Sequence, residues 1–395
     1  MHYNRGNRYT VVVAALATIA SFASSAPAHG SGALSIGAPH QVGYTGTNAL
    51  AISCPRGIPV SASVCAVLID VTAHPRYPSL SLVRRGVPSA PQELARDADR
   101  VVCASATVCG VYATPAAASG GSNTIEWLRN GTPRSTTTID GIKFVTDVEC
   151  PTASRCVAIG EALQQITATT YNFHARLAFV SPRTNTATAE PIPAVNEVAD
   201  LSCGSPTSCY ATGSKHGPVT VQGDARSEFV PAGAVDGGER IVHVTGSKVT
   251  VAPVTEPRLG RIACGDATHC IATSYTGDFA SGSGWNLLAV TDGKVDDVIR
   301  STQTLDFACW NATDCLGVVG LDHSNDADPD QTAYVAALDA GQPGATSNLP
   351  GYDFSGELLT PQVACPTAGM CLIEAARTSA ARAGEEIDTM VVATS

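Results

Sequence analysis

The fourteen cysteines are the residues of this chain with the widest chemical repertoire, and their number is even. A thiolate can attack a substrate, hold a metal or oxidise to a disulfide, and spacing discriminates among these outcomes. The cysteines fall into seven pairs: Cys54/Cys65, Cys103/Cys109, Cys150/Cys156, Cys203/Cys209, Cys264/Cys270, Cys309/Cys315 and Cys365/Cys371. Six pairs have the spacing C-x5-C and the first is C-x10-C. Zinc pairs are usually more closely spaced and have histidine nearby. A catalytic thiol would leave a cysteine unpaired, and none is left over. The pattern therefore predicts seven local disulfides.

Other catalytic constellations are absent from the sequence. There is no H-E-x-x-H zinc-protease motif and no G-x-S-x-G nucleophile elbow. The histidines beyond the N-terminal segment are scattered, with no two at i, i+2 or i, i+4. Asp326, Asp328 and Asp330 alternate like the start of a calcium loop, but Ala337 stands where the distal bidentate glutamate would be. A solvated acidic loop without a cofactor is the expectation there, with calcium as the alternative. Asn130-Gly131-Thr132 and Asn311-Ala312-Thr313 match N-glycosylation sequons, which a composition of bacterial type leads us to set aside. A hydrolase built on this chain would need converging carboxylates. The S-x-D-x-G-x-x-W box of sialidase-like proteins has no clean copy, since Ser274, Asp278 and Trp285 are wrongly spaced. No enzymatic activity is expected.

The elements that must position the cysteines repeat with them. The first cysteines of successive pairs lie 49, 47, 53, 61, 45 and 56 residues apart, a period near 50. VECPTASRCVAIG, LSCGSPTSCYATG, IACGDATHCIATS, FACWNATDCLGVV and VACPTAGMCLIEA each show a short apolar strand, a small polar turn and a second apolar strand. The two cysteines of a pair are expected on these adjacent antiparallel strands, within reach of a disulfide. Around Cys264 the strands are read as Arg261 to Cys264, Cys270 to Ser274, Trp285 to Thr291 and Val295 to Arg300, with Asp292-Gly293-Lys294 as a hairpin turn. Four strands in about 50 residues is the signature of a propeller blade. The chain is thus expected to be all-β, a seven-bladed β-propeller with four strands and one disulfide per blade. A linear solenoid is the alternative, but neither end resembles a polar capping repeat. The last repeat lacks a fourth strand, and ALSIGAP at 33–39 is expected to supply it, joining the two ends of the chain in one blade.

Composition adds compartment and class. Arg5 and Arg8, the apolar run from Val11 to Phe22 and Ser25-Ala26-Pro27-Ala28 read as a secretory signal peptide, residues 1–28, leaving 29–395 as a single propeller domain. The run is too short for a membrane anchor. With hydrophobic residues at 44%, charged residues at 15% and a net charge of −11, a nucleic-acid surface is not expected. A secreted, extracellular monomer with no membrane or nucleic-acid partner follows. Function is expected on the face opposite the cysteine hairpins, where the variable connections lie. Residues 161–173 are read there as a long loop, and Tyr171, Phe173, Tyr275, Phe279 and Trp285 as partner-binding aromatics. Tyr171, Tyr275 and Trp285 would also serve as stacking surfaces for glycan binding or glycan hydrolysis, the alternative reading.

The V-x-C-P-x-A-x-x-C-h-A-h-G unit resembles that of secreted actinobacterial disulfide-stapled seven-bladed propellers, and the likeness spans about residues 33–395. That resemblance implies a non-enzymatic protein that engages thermolysin- or dispase-like metalloproteases and promotes their autolysis. It also implies a substrate of secreted transglutaminase, cross-linked through glutamines. No family motif assigns those roles to residues here; Gln41, Gln92, Gln303 and Gln342 are candidate donors.

Overall fold

A computed structural model describes residues 34–42, 47–58, 64–71, 77–115, 121–167, 170–220, 238–275, 285–300, 304–319, 334–339, 342–349, 362–367, 370–378 and 385–394. The expected signal peptide, and with it the domain boundary after residue 28, lies outside them.

Four of the cysteine motifs show how the turn is capped by its own side chains. Two residues after the first cysteine stands a short acceptor: Thr152, Ser205, Asp266 or Asn311. Asp266 Oδ1 accepts from the amides of Thr268 and His269, both at 2.7 Å, and Asn311 Oδ1 from Thr313 at 3.0 Å and Asp314 at 2.7 Å. Ser205 Oγ accepts from Ser208 N at 3.0 Å and Thr152 Oγ1 from Arg155 N at 3.1 Å. Such Asx- and ST-type turns satisfy backbone donors locally.

All seven predicted disulfides are present: Cys54–Cys65, Cys103–Cys109, Cys150–Cys156, Cys203–Cys209, Cys264–Cys270, Cys309–Cys315 and Cys365–Cys371. The flanking strands set the cysteines directly opposite at Cys103↔Cys109, Cys203↔Cys209, Cys264↔Cys270 and Cys309↔Cys315. The first, third and last pairs depart from the expected placement on two paired strand positions. Cys65 lies on the strand Val64–Val71, opposite Val83 of the third strand, but Cys54 stands one residue beyond the end of Thr47–Ser53. The ladder stops at Ser53↔Ala66 because the longer C-x10-C connection diverges there, and the disulfide takes over where backbone pairing ends. Cys156 lies opposite Val180 and Cys371 opposite Val392, but register shifts between Glu149 and Thr152 and between Ala364 and Thr367 leave Cys150 and Cys365 without a paired residue across from them. The Cα atoms still approach to 4.2 Å for Cys54 and Cys65 and 4.1 Å for Cys365 and Cys371.

Seven antiparallel-based sheets result, each with a four-stranded path except blade 2, whose path has five, and some with a further short strand beside it. We number them as blades 1 to 7 in order of their cysteine pairs. Their innermost strands are Thr47–Ser53, Arg100–Ser105, Phe144–Thr152, Glu197–Ser205, Leu259–Cys264, Thr304–Cys309 and Gln362–Thr367. Each touches the innermost strand of the next blade, and Gln362–Thr367 touches Thr47–Ser53, so the ring closes. Leu34–Ile36 pairs antiparallel with the C-terminal strand Glu385–Thr394, from Leu34↔Thr394 to Ile36↔Val392. His40–Val42 continues along the same strand. The expected N-terminal strand of blade 7 is therefore in place, and the chain is a seven-bladed propeller.

The core lies between blades. Seven apolar clusters occupy the seven interfaces, including the closing one between blades 7 and 1, where Val42, Val67, Ile69 and Val83 meet Leu372. Second strands are apolar on consecutive positions because they are covered on both faces. In blade 4, Cys209 and Ala211 pack toward blade 3 while Tyr210 between them packs toward blade 5. No helix long and apolar enough to cross a membrane occurs among the described residues. Seven disulfides place the protein in an oxidising compartment.

Candidate binding site in the central channel and on the loop face

The cysteines themselves are scaffold, not reactive site. None is free among the described residues. Cys65 and Cys371 are both 1% exposed. Cys65 packs with Val42, Val67 and Leu372 at the closing interface, and Cys371 with Leu316 and Val318 between blades 6 and 7.

The seven innermost strands enclose a channel of about 360 Å³. Its chemistry comes from a position three residues before each first cysteine: Ala51, Arg100, Asp147, Asp200, Arg261, Asp306 and Gln362. In blades 1, 3, 4, 5 and 6 the strand register shifts beside this position. A bulge re-aims a side chain out of the plain alternation. The aspartates use this to clasp the following blade. Asp147 Oδ2 accepts from Leu201 N at 2.9 Å, Asp200 Oδ2 from Ile262 N at 2.6 Å and Asp306 Oδ2 from Val363 N at 2.7 Å. Asp147 Oδ1 also accepts from Tyr112 Oη at 2.9 Å. Two serines one residue before a cysteine act alike: Ser53 Oγ accepts from Cys103 N and Ser202 Oγ from Cys264 N, each at 2.9 Å.

Two arginines neutralise this acidic ring. Arg261 Nη2 lies 2.9 Å from Asp306 Oδ1 and donates to Gln362 Oε1 at 3.1 Å, while its Nη1 is 3.9 Å from Asp200 Oδ1. Burial raises the carboxyls of Asp200 and Asp306, and Arg261 offsets part of that rise. The charge of Asp306, followed by that of Asp200, raises the Arg261 guanidinium against its burial. Arg56 comes from the turn of blade 1, the motif with the longer connection. It stands two residues after Cys54, where other blades carry a turn-capping acceptor. Released from that role, Arg56 crosses the channel. Its Nε is 3.2 Å from Glu149 Oε1 of blade 3, and its Nη2 donates to Ser202 Oγ of blade 4 at 3.4 Å and Cys264 O of blade 5 at 3.1 Å. Gly57 N donates to Pro366 O of blade 7 at 2.8 Å. Desolvation raises Glu149 to about 7, with Arg56 opposing the shift. The channel is thus spanned by side chain on the disulfide face.

The opposite face carries the second feature. Residues 161–173, read as a loop, are hairpin. Arg155–Gln165 and Thr170–Val180 pair without a break from Cys156↔Val180 to Gln165↔Tyr171, and Ile166 N donates to Thr170 O at 2.8 Å across the turn. Tyr171-Asn172-Phe173 alternates apolar and polar residues opposite Leu163, and with no glycine or proline between them the two strands extend. The inner strand ends its pairing at Phe144↔Glu161, so the hairpin runs past it by about four residues, roughly 13 Å. Val219–Thr220 pairs along Thr170 and Tyr171. Ile166 at the tip is exposed, Tyr171 half-buried.

Phe173 is not a surface aromatic: it is buried against Phe144, with Leu163 and Tyr171 beside it, and braces the hairpin. Asn196 Nδ2 of the next blade donates to Phe173 O at 2.9 Å, and the His216 ring meets Phe173 edge-on at 6.2 Å. His216 Nε2 is 3.3 Å from Glu197 Oε2, which raises its pKa despite burial. Beneath, Glu161 Oε1 accepts from Val198 N at 3.2 Å, and desolvation followed by the charge of Glu197 raises it to about 8.

Tyr275 is also buried rather than presented to a partner, because its register partner Trp285 places it inside the blade 5 sheet. Phe279, Gln303, Asp326, Asp328 and Asp330 lie outside the described residues, as does the Trp285 side chain. Gln41, Gln92 and Gln342 are exposed, each on a strand rather than a free loop. Among the described residues no cluster of three or more His, Cys, Asp or Glu is placed to hold a metal ion. The clasp ring was missed because it emerges only when the seven repeats are aligned on their cysteines and position three before each is read downward.

No protein-family model matches the chain, and no curated protein matches it. The chain is similar to the WD40 beta propeller domain of Doa1 (11% identity, TM-score 0.49, 91% of this chain and 97% of that one). It is similar to a protein of unknown function from Dyadobacter fermentans (7% identity, TM-score 0.48, 92% and 99%). It is likewise similar to YCF48 bound to D1 peptide (10% identity, TM-score 0.46, 90% and 96%). These likenesses concern architecture and carry no residue roles.

Proposed function

We propose that this is a secreted, non-enzymatic binding protein that engages other extracellular proteins through the loop face. In its specific form, it binds thermolysin- or dispase-like metalloproteases and promotes their autolysis. The observation that carries the reading is the hairpin that outruns its sheet, with Ile166 exposed at the tip and its base locked by Phe173, Asn196 and His216. A rigid scaffold presenting one protruding apolar element suits protein recognition, since little ordering entropy is lost on docking. The channel aspartates support the non-enzymatic reading, because each is committed to backbone amides of the next blade.

Incubating the purified mature protein with a thermolysin-type protease tests this. Protease activity should decay faster than in the control, and the hairpin variant Ile166→Asp should lose most of the acceleration. Decay at the control rate defeats the protease reading. As a transglutaminase substrate, the protein would incorporate a labelled amine at Gln41, Gln92 or Gln342, which peptide mass spectrometry reads directly.

A further inference from the structure

Among the described residues, Arg100 is the channel arginine that makes no ion pair, its charge reaching the Asp306 carboxyl only from a distance. Among the described residues its one hydrogen bond runs from Nη1 to Asp99 O at 3.1 Å. A guanidinium has five N–H donors in a planar fork, so most of its capacity faces the channel unmet. Arg56 and Arg261, by contrast, are engaged by acids and carbonyl or amide oxygens.

The surroundings of Arg100 are asymmetric. On one side the clasp ring continues to Ala51, which contributes only a methyl, and then to uncharged Gln362. Gln362 Oε1 accepts from Arg261, which fixes the amide and leaves its N–H donors free. On the other side Asp147 is consumed by Tyr112 Oη, Val148 N and Leu201 N. Thr146 Oγ1 of the same strand lines the channel and is buried without a partner. Arg100 lies three residues ahead of Cys103, at the level of the clasp ring and on the loop-face side of the end that Arg56 spans.

We propose that this part of the channel is a carboxylate-binding site, with the Arg100 fork as the anchor and the Gln362 amide and Thr146 hydroxyl as flanking donors. A single negative charge fits better than a phosphate dianion, because Asp147, Asp200 and Asp306 ring the same space and would repel additional charge. The carboxylate belongs either to a small free acid or to an acidic side chain of a polypeptide inserted from the loop face. The site does not depend on the protease reading above.

The experiment is a titration of the intact mature protein, followed by NMR of arginine Nε–Hε signals. The probes are acetate, an N-acetylated and amidated Gly-Glu-Gly peptide, and its Gly-Gln-Gly counterpart. One arginine signal should shift saturably with the carboxylate probes and not with Gly-Gln-Gly. It should vanish in Arg100→Gln, which should weaken binding by about tenfold or more, as loss of a forked charge-assisted contact does. Arg100→Lys keeps charge but not the fork and should weaken binding severalfold, and Gln362→Leu likewise. Tighter binding of the peptide assigns the site to polypeptide, and equal or tighter binding of acetate to a free acid. The proposal is overturned if neither carboxylate probe gives a saturable shift, or if Arg100→Gln binds as wild type does. Arg100→Lys and Gln362→Leu carry the same decision should Arg100→Gln not fold.

Discussion

Arg56 Nε lies 3.2 Å from Glu149 Oε1 although the two residues belong to blades 1 and 3, so one side chain ties together parts of the ring that share no interface. A double-mutant cycle with Arg56→Gln and Glu149→Gln, read by urea unfolding, should give a coupling of about 1–3 kcal/mol, the range for charge-assisted hydrogen bonds. Additive losses would mean that the bridge contributes nothing.

The clasp at blade 6 predicts a ranking. Asp306→Ala orphans Val363 N and strips Arg261 of its nearer acid, and should cost about 3 kcal/mol, reduced from the fully buried limit because Arg261 is 38% exposed. Ser202→Ala, which removes a neutral acceptor for Cys264 N, should cost about 1 kcal/mol. Thermal melts of the two variants check the order, and a reversed order would refute the clasp assignment.

Stability should fall as pH rises from about 5 to 8.5. Glu161 and Glu374 are both raised by desolvation, Glu161 to about 8. Glu374 is fully buried on the second strand of blade 7, opposite Gln362, and neither oxygen has a hydrogen-bond partner. A carboxyl whose folded pKa exceeds its unfolded value stabilises below the unfolded value and loses that contribution as pH climbs through the folded one. Glu374→Gln should flatten this slope and raise the midpoint at pH 8.5 relative to wild type. Urea melts at pH 5, 7 and 8.5 measure it, and parallel slopes for the two proteins would contradict the burial of an uncompensated acid.

Two glycines mark where neighbouring turns touch backbone to backbone. A Cβ on Gly204 would sit 1.5 Å from Asp266 O, and one on Gly265 would sit 1.4 Å from Asn311 O. Gly204→Ala and Gly265→Ala should therefore each destabilise by about 3 kcal/mol or more, the upper end for overpacking, whereas Gly217→Ala meets open space and should be neutral. Circular dichroism melts separate these cases.

Reduction should lower the melting temperature markedly. Each bridge closes a short loop and contributes about 2 kcal/mol on the chain-entropy account. An unchanged midpoint in reductant would deny the bridges their stabilising role.

Repetition made the architecture readable. Cysteine spacing, a two-strand motif around each pair and an unfinished last repeat were enough to derive seven blades, their disulfides and the N-terminal strand of blade 7, because strand pairing across a short turn is a local event. The short acceptor two residues after the first cysteine explains the turns of blades 3 to 6, a role that appears only with the turn geometry. Spacing did not show that Cys54 falls just past its strand, or that register shifts isolate Cys150 and Cys365 while Cys65, Cys156 and Cys371 stay in their ladders. Those details depend on where backbone pairing gives out. Local pattern also misjudged the hairpin over 161–173 and the exposure of Phe173 and Tyr275, since whether an aromatic faces solvent depends on what the adjacent blade places over it.

The channel lies beyond local pattern altogether. Arg56, Glu149, Asp306 and Arg100 are separated by tens to hundreds of positions and meet only because seven innermost strands converge on one axis. Sequence by itself determined the repeating unit and its covalent staples, which follow from short-range sterics, turn chemistry and sulfur spacing. Tertiary structure alone decided which charges are matched, which acid is buried without a partner and which guanidinium is left open, because these depend on distances between blades, and ring closure is what sets those distances.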